Sequence, residues 1–261
     1  MILELYKYLT TPAPLSARKL GQLKESIAME ARYKRSEKQW QSHLTNSQNI
    51  IKKAATHSNK HEEAIILGSG LLLDIPLDFL SMHYRHVYLV DIVHLKHIKK
   101  NIGHLKNVSI IEHDVTGLND TLLKSVRKKN DITPSPSIPC LTSNTGLVVS
   151  ANMLSQIHLA PVYYAENQLK FREDKLKRLA HNIIQSHIDM LKNTACKICL
   201  ISDFKHFYQN NKHQVQDEES ALMEISLPLP EKTWRWEIAP MGELHPDLSM
   251  SSLVYAYSNF R

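Results

Sequence analysis

Only three of the 261 residues are cysteine, an odd number. No disulfide framework is therefore expected, and a reducing, cytoplasmic setting is the plain reading. Long apolar runs are missing as well. The longest, such as IILGSGLLL, fall well short of the ~20 residues that cross a bilayer, so no membrane span is expected. The opening MILELYKYLTTP lacks a basic stretch followed by an apolar segment and a small-residue cleavage site, so no signal peptide is expected. There is no G-x-x-x-x-G-K-[ST], which argues against a P-loop nucleotidase. There is no G-x-S-x-G, which disfavours a nucleophile-elbow hydrolase. Fifteen histidines are present, but no H-E-x-x-H and no second cysteine pair beside Cys196 and Cys199, so no metal site is indicated.

What is present is ordinary globular material: 43% hydrophobic and 22% charged residues, in a chain long enough for one large domain with an appendage or for two modest domains. The net charge of +6 is concentrated. Between residues 17 and 60, ten basic residues (Arg18, Lys19, Lys24, Arg32, Lys34, Arg35, Lys38, Lys52, Lys53, Lys60) face three acids (Glu25, Glu30, Glu37). Such a segment is either a solvated helical surface or a contact for an acidic partner, nucleic acid included.

Residues 15–57 carry apolar positions near a 3.6 period (Leu20, Leu23, Ile27, Tyr33, Trp40, Leu44, Ile50, Ile51), which predicts two helices or one bent one. From residue 61 the texture alternates between short apolar runs and helical stretches, as buried parallel strands and crossover helices require. Strands are predicted at Ala64–Leu67, His86–Val90, Val108–Ile111, Gly146–Ser150, Lys197–Ile201, Trp234–Ile238 and Leu253–Tyr257. Helices are predicted at about 71–82, 94–104, 118–129 and 166–191, with a proline-rich loop (Pro134, Pro136, Pro139) before the fourth strand. His94 and His97, beside Lys96, Lys99 and Lys100, read as a basic solvated face. Cys196 and Cys199 are three apart in a strand and so point to opposite faces. Trp234 and Trp236 share one face, as core or as part of a substrate wall. The division is an N-terminal helical segment, 1–60, acting as a lid or substrate-side cap, and an α/β domain, 61–261.

Open α/β sheets bind ligands beyond the carboxyl ends of their strands. The most glycine-rich turn, Gly68-Ser69-Gly70, follows the first predicted strand, where glycine permits a tight turn and close ligand approach. The helix after it would offer free N–H groups to a carboxylate or phosphate. Asp91 ends the second strand, placed to accept hydrogen bonds from ribose hydroxyls. Asp114 ends the third, where its carboxylate or the adjoining backbone can read an adenine edge. A dinucleotide fingerprint needs a small residue at the position of Leu73, so a pyrophosphate is poorly matched.

In the order of its elements, in Asp91 and Asp114, and in the two late strands WRWEI and LVYAY, the chain resembles the class I S-adenosylmethionine-dependent methyltransferases. The resemblance spans about residues 62–261. It implies a Rossmann-like α/β fold with a seven-stranded, mostly parallel sheet in the order 3-2-1-4-5-7-6, helices on both faces, and S-adenosyl-L-methionine as cofactor. Gly68 and Gly70, with Ser69, would lie beside the methionine part; Asp91 with Ile92 would bind the ribose, and Asp114 and Val115 would flank the adenine. Ser150 closes the cofactor set at the end of the fourth strand. The loop departs from the family pattern at Ile66, where an acid is usual, and at Leu72, where a third glycine is common. Residues after the fourth strand would face the methyl group, with Asn152 and His158 as catalytic candidates. Ser155, Gln156 and Tyr163, together with Glu30 and Tyr33 (beside Arg32) from the helical segment, are the substrate-binding candidates. The loop is not N/D-P-P-Y/F, so amino-methylation of nucleic acid has no motif behind it. Three functions stay open: a methyltransferase of unnamed acceptor, a non-catalytic methyltransferase-like binding or assembly protein, and an NAD- or nucleotide-dependent Rossmann enzyme.

Overall fold

The computed structural model describes residues 2–58, 62–125 and 132–261; Lys60 and the last part of the helix expected over 118–129 lie outside them. Three helices lead the chain: α1 (Ile2–Thr10), α2 (Leu15–Lys19) and α3 (Gln22–Thr56). Of the two readings of residues 15–57, the long part is one bent helix. α3 departs from helical geometry at Ser36 (φ −116°, ψ 22°). Its second half is strongly one-sided. Trp40, His43, Leu44, Ser47, Ile50, Ile51, Ala54 and Ala55 are all buried, spaced so that they form a single stripe.

The stripe lies on a sheet built from β1 (Glu63–Leu67), β2 (His86–Asp91), β3 (Val108–Glu112), β4 (Thr145–Ala151), β5 (Lys197–Gln209), β6 (Val215–Ser220), β7 (Lys232–Ala239) and β8 (Ser249–Tyr257). The order is β3-β2-β1-β4-β5-β8-β7. The first five run parallel; β8 is antiparallel to both β5 and β7. Seven strands thus follow the expected order, and an eighth, β6, pairs antiparallel with the overhanging end of β5. Its sequence, VQDEES, is exposed over five of six residues, so no apolar alternation marks it in the sequence.

The crossover helices are α4 (Leu77–His83), α5 (Lys96–Asn101), α6 (Asn119–Ser125), α7 (Leu159–Asn167) and α8 (Glu173–Lys192). α4 begins later than the expected residue 71 because Pro76 stands at its amino end and disfavours helix in the residue before it. The single helix expected over 166–191 is two. Lys170, between α7 and α8, has φ 53°, a left-handed conformation that no α-helix contains.

Each face of the sheet has its own core. On one, Trp40, Leu44 and Ile51 of α3 and Leu80 of α4 pack against Ile66, Leu89, Val149, Ile201, Trp236 and Val254. On the other, Ile184, Ile188 and Leu191 of α8 pack against Ile65, Leu67, Val148 and Leu200. Cys199 is buried in the first core and Cys196 packs against the second, the opposite-face arrangement expected of them. Trp40 fixes the N-terminal helix to the C-terminal hairpin: it is 3% exposed, meets Trp236 edge-on with centroids 5.0 Å apart, and donates from Nε1 to the Ile238 carbonyl (3.0 Å).

Trp40→Ala is expected to lower unfolding stability by about 3–5 kcal/mol in a single denaturant transition. A separate early transition for the helix, with the sheet unaffected, would show that α3 is a detachable arm.

Candidate functional site

The carboxyl ends of β1, β2, β3 and β4 open onto a cavity of about 880 Å³. Its floor is Gly68-Ser69-Gly70, Asp91, Ile92, Asp114, Val115, Asn152 and Met153. Its wall and rim come from Gln22, Glu25, Ser26, Met29, Trp40, His43 and Leu44 of α3, from the start of α7, and from Glu173, Leu176, Lys177 and Ala180 of α8. Eleven of the sequence candidates are brought together here: Gly68, Ser69, Gly70, Asp91, Ile92, Asp114, Val115, Asn152, Gln156, His158 and Tyr163.

The glycine turn packs against its own fold. Gly68 has φ +77°, and a Cβ there would stand 2.8 Å from the Ala151 carbonyl oxygen and 3.0 Å from Met153 Cβ. The space released at Gly68 is therefore filled by the end of β4, not left for a ligand as the sequence alone implies. Gly70 (φ +39°) donates its N–H to Asp91 Oδ2 at 2.9 Å. Asp91 Oδ1 receives a longer bond from Val93 N–H (3.4 Å). Burial pushes the Asp91 carboxyl up to about 6, against the pull of these backbone donors.

Other candidates turn out to be spoken for. The Ser69 hydroxyl lies 2.8 Å from Nε2 of His94. His94 is 0% exposed and precedes α5, so the solvated face expected of it is a correction: the ring pins the first loop to the second. Asp114 accepts Thr116 N–H (3.0 Å) and its hydroxyl (2.6 Å) on Oδ1, and Asn119 N–H (2.7 Å) on Oδ2. It caps α6, so what this position offers a ligand is the adjoining chain at Val115 more than the carboxylate itself.

Four candidates are not among the cavity's lining residues. Ser150 lies in the core with Oγ 3.1 Å from His187 Nε2. Ser155 is buried and donates at 3.5 Å to Asp203 Oδ2. Glu30 pairs with Lys7 and with Lys34 (3.0 Å), tying α1 to α3; burial raises its pKa, but the two ammonium groups hold it below the usual carboxylate range. Tyr33 packs on Trp40 and reaches Glu37 (3.4 Å); the adjacent Arg32 faces Glu243. Helical periodicity places residues on a stripe but does not say which side of the stripe meets the cavity.

Among the cavity residues that the sequence reading did not single out, His43 and Asp74 are polar groups hydrogen-bonded to Asn152. His43 is 2% exposed, stacks on Trp236 (centroids 3.9 Å, 11°), and accepts Trp234 Nε1–H at Nδ1 (3.1 Å). Asp74, in the loop after β1, has Oδ2 2.5 Å from the Asn152 side-chain amide, and the same amide atom lies 3.2 Å from His43 Nε2. Burial raises the Asp74 pKa and drops those of His43 to about 3 and His158 to about 4. The signal for His43 was its place three residues after Trp40 on an otherwise apolar stripe. For Asp74 it was an acid closing the run LLL in the first loop. Asn152 itself sits at φ 49°, a left-handed conformation that asparagine tolerates, with its N–H donated to the Ile201 carbonyl (2.9 Å).

The chemistry of the floor is thus two-part. One end, around Asp91, presents a partly satisfied carboxylate beside backbone amides. The other, around Asn152, presents the Asn152 amide with His43 and Asp74 among indole and aliphatic walls. Because the folded-state pKa of Asp91 is raised, its proton is held more tightly in the native state. Stability is therefore fully present below about pH 4 and is lost as pH rises through about 6. Asp91→Asn is expected to flatten that slope and to be more stable than the wild type above pH 6 by about 1–2 kcal/mol, the side chain being partly open to solvent. Urea titrations at pH 4, 5, 6 and 7 check it; parallel pH profiles for the two proteins would refute it.

No family model matches the chain, and no curated protein matches it. Solved structures do. One is the Burkholderia thailandensis 1,6-didemethyltoxoflavin-N1-methyltransferase, bound to 1,6-didemethyltoxoflavin and S-adenosylhomocysteine, 11% identical over 89% of this chain and 88% of that one, TM-score 0.33. Another is a DhpI–SAH complex, 9% identical over 87% and 93%, TM-score 0.37. A third is a SAM-dependent methyltransferase of Leishmania major, 16% identical over 96% and 81%, TM-score 0.32. The fold assignment rests on the strand order. With five parallel strands closed by the antiparallel pair β8 and β7 in the order β3-β2-β1-β4-β5-β8-β7, the chain has the Rossmann-like fold of class I S-adenosylmethionine-dependent methyltransferases.

Proposed function

We propose that the protein is an S-adenosylmethionine-dependent methyltransferase whose cofactor and acceptor share the cavity above β1–β4. The observation that carries this is the joining, in one half-open cavity, of the Asp91 end and the Asn152 end of the floor. The cavity's size lies toward the top of the ~300–1,000 Å³ typical of ligand sites, leaving room beside a cofactor for a small acceptor. The residues fit the group. Asp91, with each oxygen accepting a single backbone N–H, retains lone pairs for two ribose hydroxyls. Ile92 and Val115 supply apolar sides for a flat base. The loop at Gly68 to Gly70 lies where the amino-acid part would rest. S-adenosylmethionine would supply a methyl group on a sulfonium, open to in-line displacement. The chain's own part is to hold the acceptor in line and exclude water, a task for Asn152, Gln156 and the α3 wall. His158, held neutral by burial, accepts or donates a hydrogen bond there.

A second reading, a methyltransferase-like binding protein, draws on α1. Ile2, Leu5, Tyr6 and Leu9 are each at least 59% exposed and follow one another at helical spacing, an unusual apolar strip for a free surface. The basic character of residues 17–58 leaves nucleic acid as an acceptor without a specific contact to argue it.

Calorimetry with S-adenosylmethionine should give saturable one-site binding to the wild type, weakened at least about tenfold in Asp91→Ala, since two charge-assisted hydrogen bonds are removed. Absence of binding to folded, ligand-free wild type would reject the methyltransferase reading in favour of the α1-centred one.

A further inference from the structure

The four side chains Trp234, His43, Asn152 and Asp74 form a continuous hydrogen-bonded row at the acceptor end of the cavity. Its polarity follows from its first member. An indole N–H only donates, so Nδ1 of His43 must be the acceptor at 3.1 Å. A neutral imidazole carries one proton, which then resides on Nε2. Nε2–H is a donor, and the Asn152 atom 3.2 Å away must accept. An amide's oxygen and nitrogen are told apart by their partners, and this partner demands the carbonyl oxygen. The same oxygen lies 2.5 Å from Asp74 Oδ2. Two bare oxygens do not approach so closely, so Asp74 carries a proton and donates it. Burial favours that neutral form.

The consequence is at the other amide atom. With its carbonyl engaged twice, Asn152 presents its NH₂ on the opposite side, and that terminal atom is buried with no partner among the described residues. Asn152 is 9% exposed and lines the cavity. A second buried donor on the cavity wall, Trp236 Nε1–H, is likewise unpaired. The surrounding wall is apolar: Met29, Trp40, Leu44 and Trp236.

We infer that this end of the cavity recognises an oxygen acid on a small apolar body, its deprotonated oxygen accepting hydrogen from the Asn152 NH₂, and that this oxygen is the methyl acceptor. The second half of the inference rests on the methyltransferase reading above. An amine is protonated near neutral pH, and an ammonium has no lone pair to offer a donor, so it is disfavoured. In the transfer the oxygen's lone pair forms the O–CH₃ bond as the carbon–sulfur bond breaks, with the electron pair passing to sulfur. The acceptor arrives without its proton, so the step needs no base. That suits a site whose histidines are weak bases and whose Asp74 is already protonated. Carboxylate and sulfonium neutralise each other in the buried space.

The test uses benzoate and benzylamine as probes of similar size and opposite hydrogen-bonding character. In the wild type, ¹⁵N spectra of His43 should show the proton on Nε2 and a bare Nδ1. Benzoate should perturb the Asn152 and Trp236 side-chain N–H signals and bind at least about tenfold more tightly than benzylamine. Asn152→Asp, which keeps a residue tolerant of φ 49° and replaces the donor by a carboxylate, should reverse the preference. Trp234→Phe, which releases His43 to either tautomer, should erode it. A proton on Nδ1 of His43, or benzylamine bound as well as benzoate by the wild type, overturns the inference whatever the cofactor does. Benzoate binding without any S-adenosylhomocysteine binding would instead sink the methyltransferase reading and leave the donor assignment standing.

Discussion

The carboxyl edge of the sheet is organised around an atom that is not there. At Gly68 the end of β4 comes so near that a Cβ would stand only 2.8 Å from the Ala151 carbonyl oxygen. That approach fixes where the chain turns out of β1 and out of β4, and so fixes two separate things at once. On one side it brings Gly70 within reach of the Asp91 carboxylate. On the other it delivers Asn152 in a left-handed turn whose N–H is tied to β5. The two ends of the cavity floor are held in register by one backbone contact.

The bent helix α3 answers a different constraint. Beyond Ser36 it is a core element, with Leu44, Ile50 and Ile51 burying apolar surface worth about 1.5–3 kcal/mol each. Before Ser36 it is a wall of the cavity, with Glu25, Ser26 and Met29 facing inward. His43 belongs to both halves of this arrangement. It lies on the stripe that seals the core, yet its ring edge reaches Asn152. A rigid stripe thereby sets the orientation of a polar group in the site.

Much of this was legible in the sequence. β1, β4 and β5 are covered on both faces, so they read as unbroken apolar runs, and Asp91 was conspicuous as the first polar residue after such a run. Asn152 and His158 were singled out by the family resemblance, through their place after the fourth strand. What was not legible depends on tertiary contact. Asp74 gains its meaning from Asn152, 78 residues away, and His43 from Asn152 and Trp234, 109 and 191 residues away. Glu30 and Tyr33 lie on the helix that walls the cavity but on sides that meet α1 and Trp40. β6 has no apolar face to announce it, and Lys170 gives no hint of the left-handed turn that divides α7 from α8.

The docking of α3 on the hairpin of β7 and β8 also has a consequence for biosynthesis. Trp40 donates to Ile238, and Lys53 pairs with Glu231. The apolar stripe therefore leaves the ribosome well before these partners, Trp40 being 198 residues ahead of Ile238. Until those strands emerge, the part of the stripe around Trp40 lacks its partners, and contacts of such long range close slowly. Over that interval the nascent chain carries a partly uncovered amphipathic helix, the kind of exposed surface that holding chaperones engage.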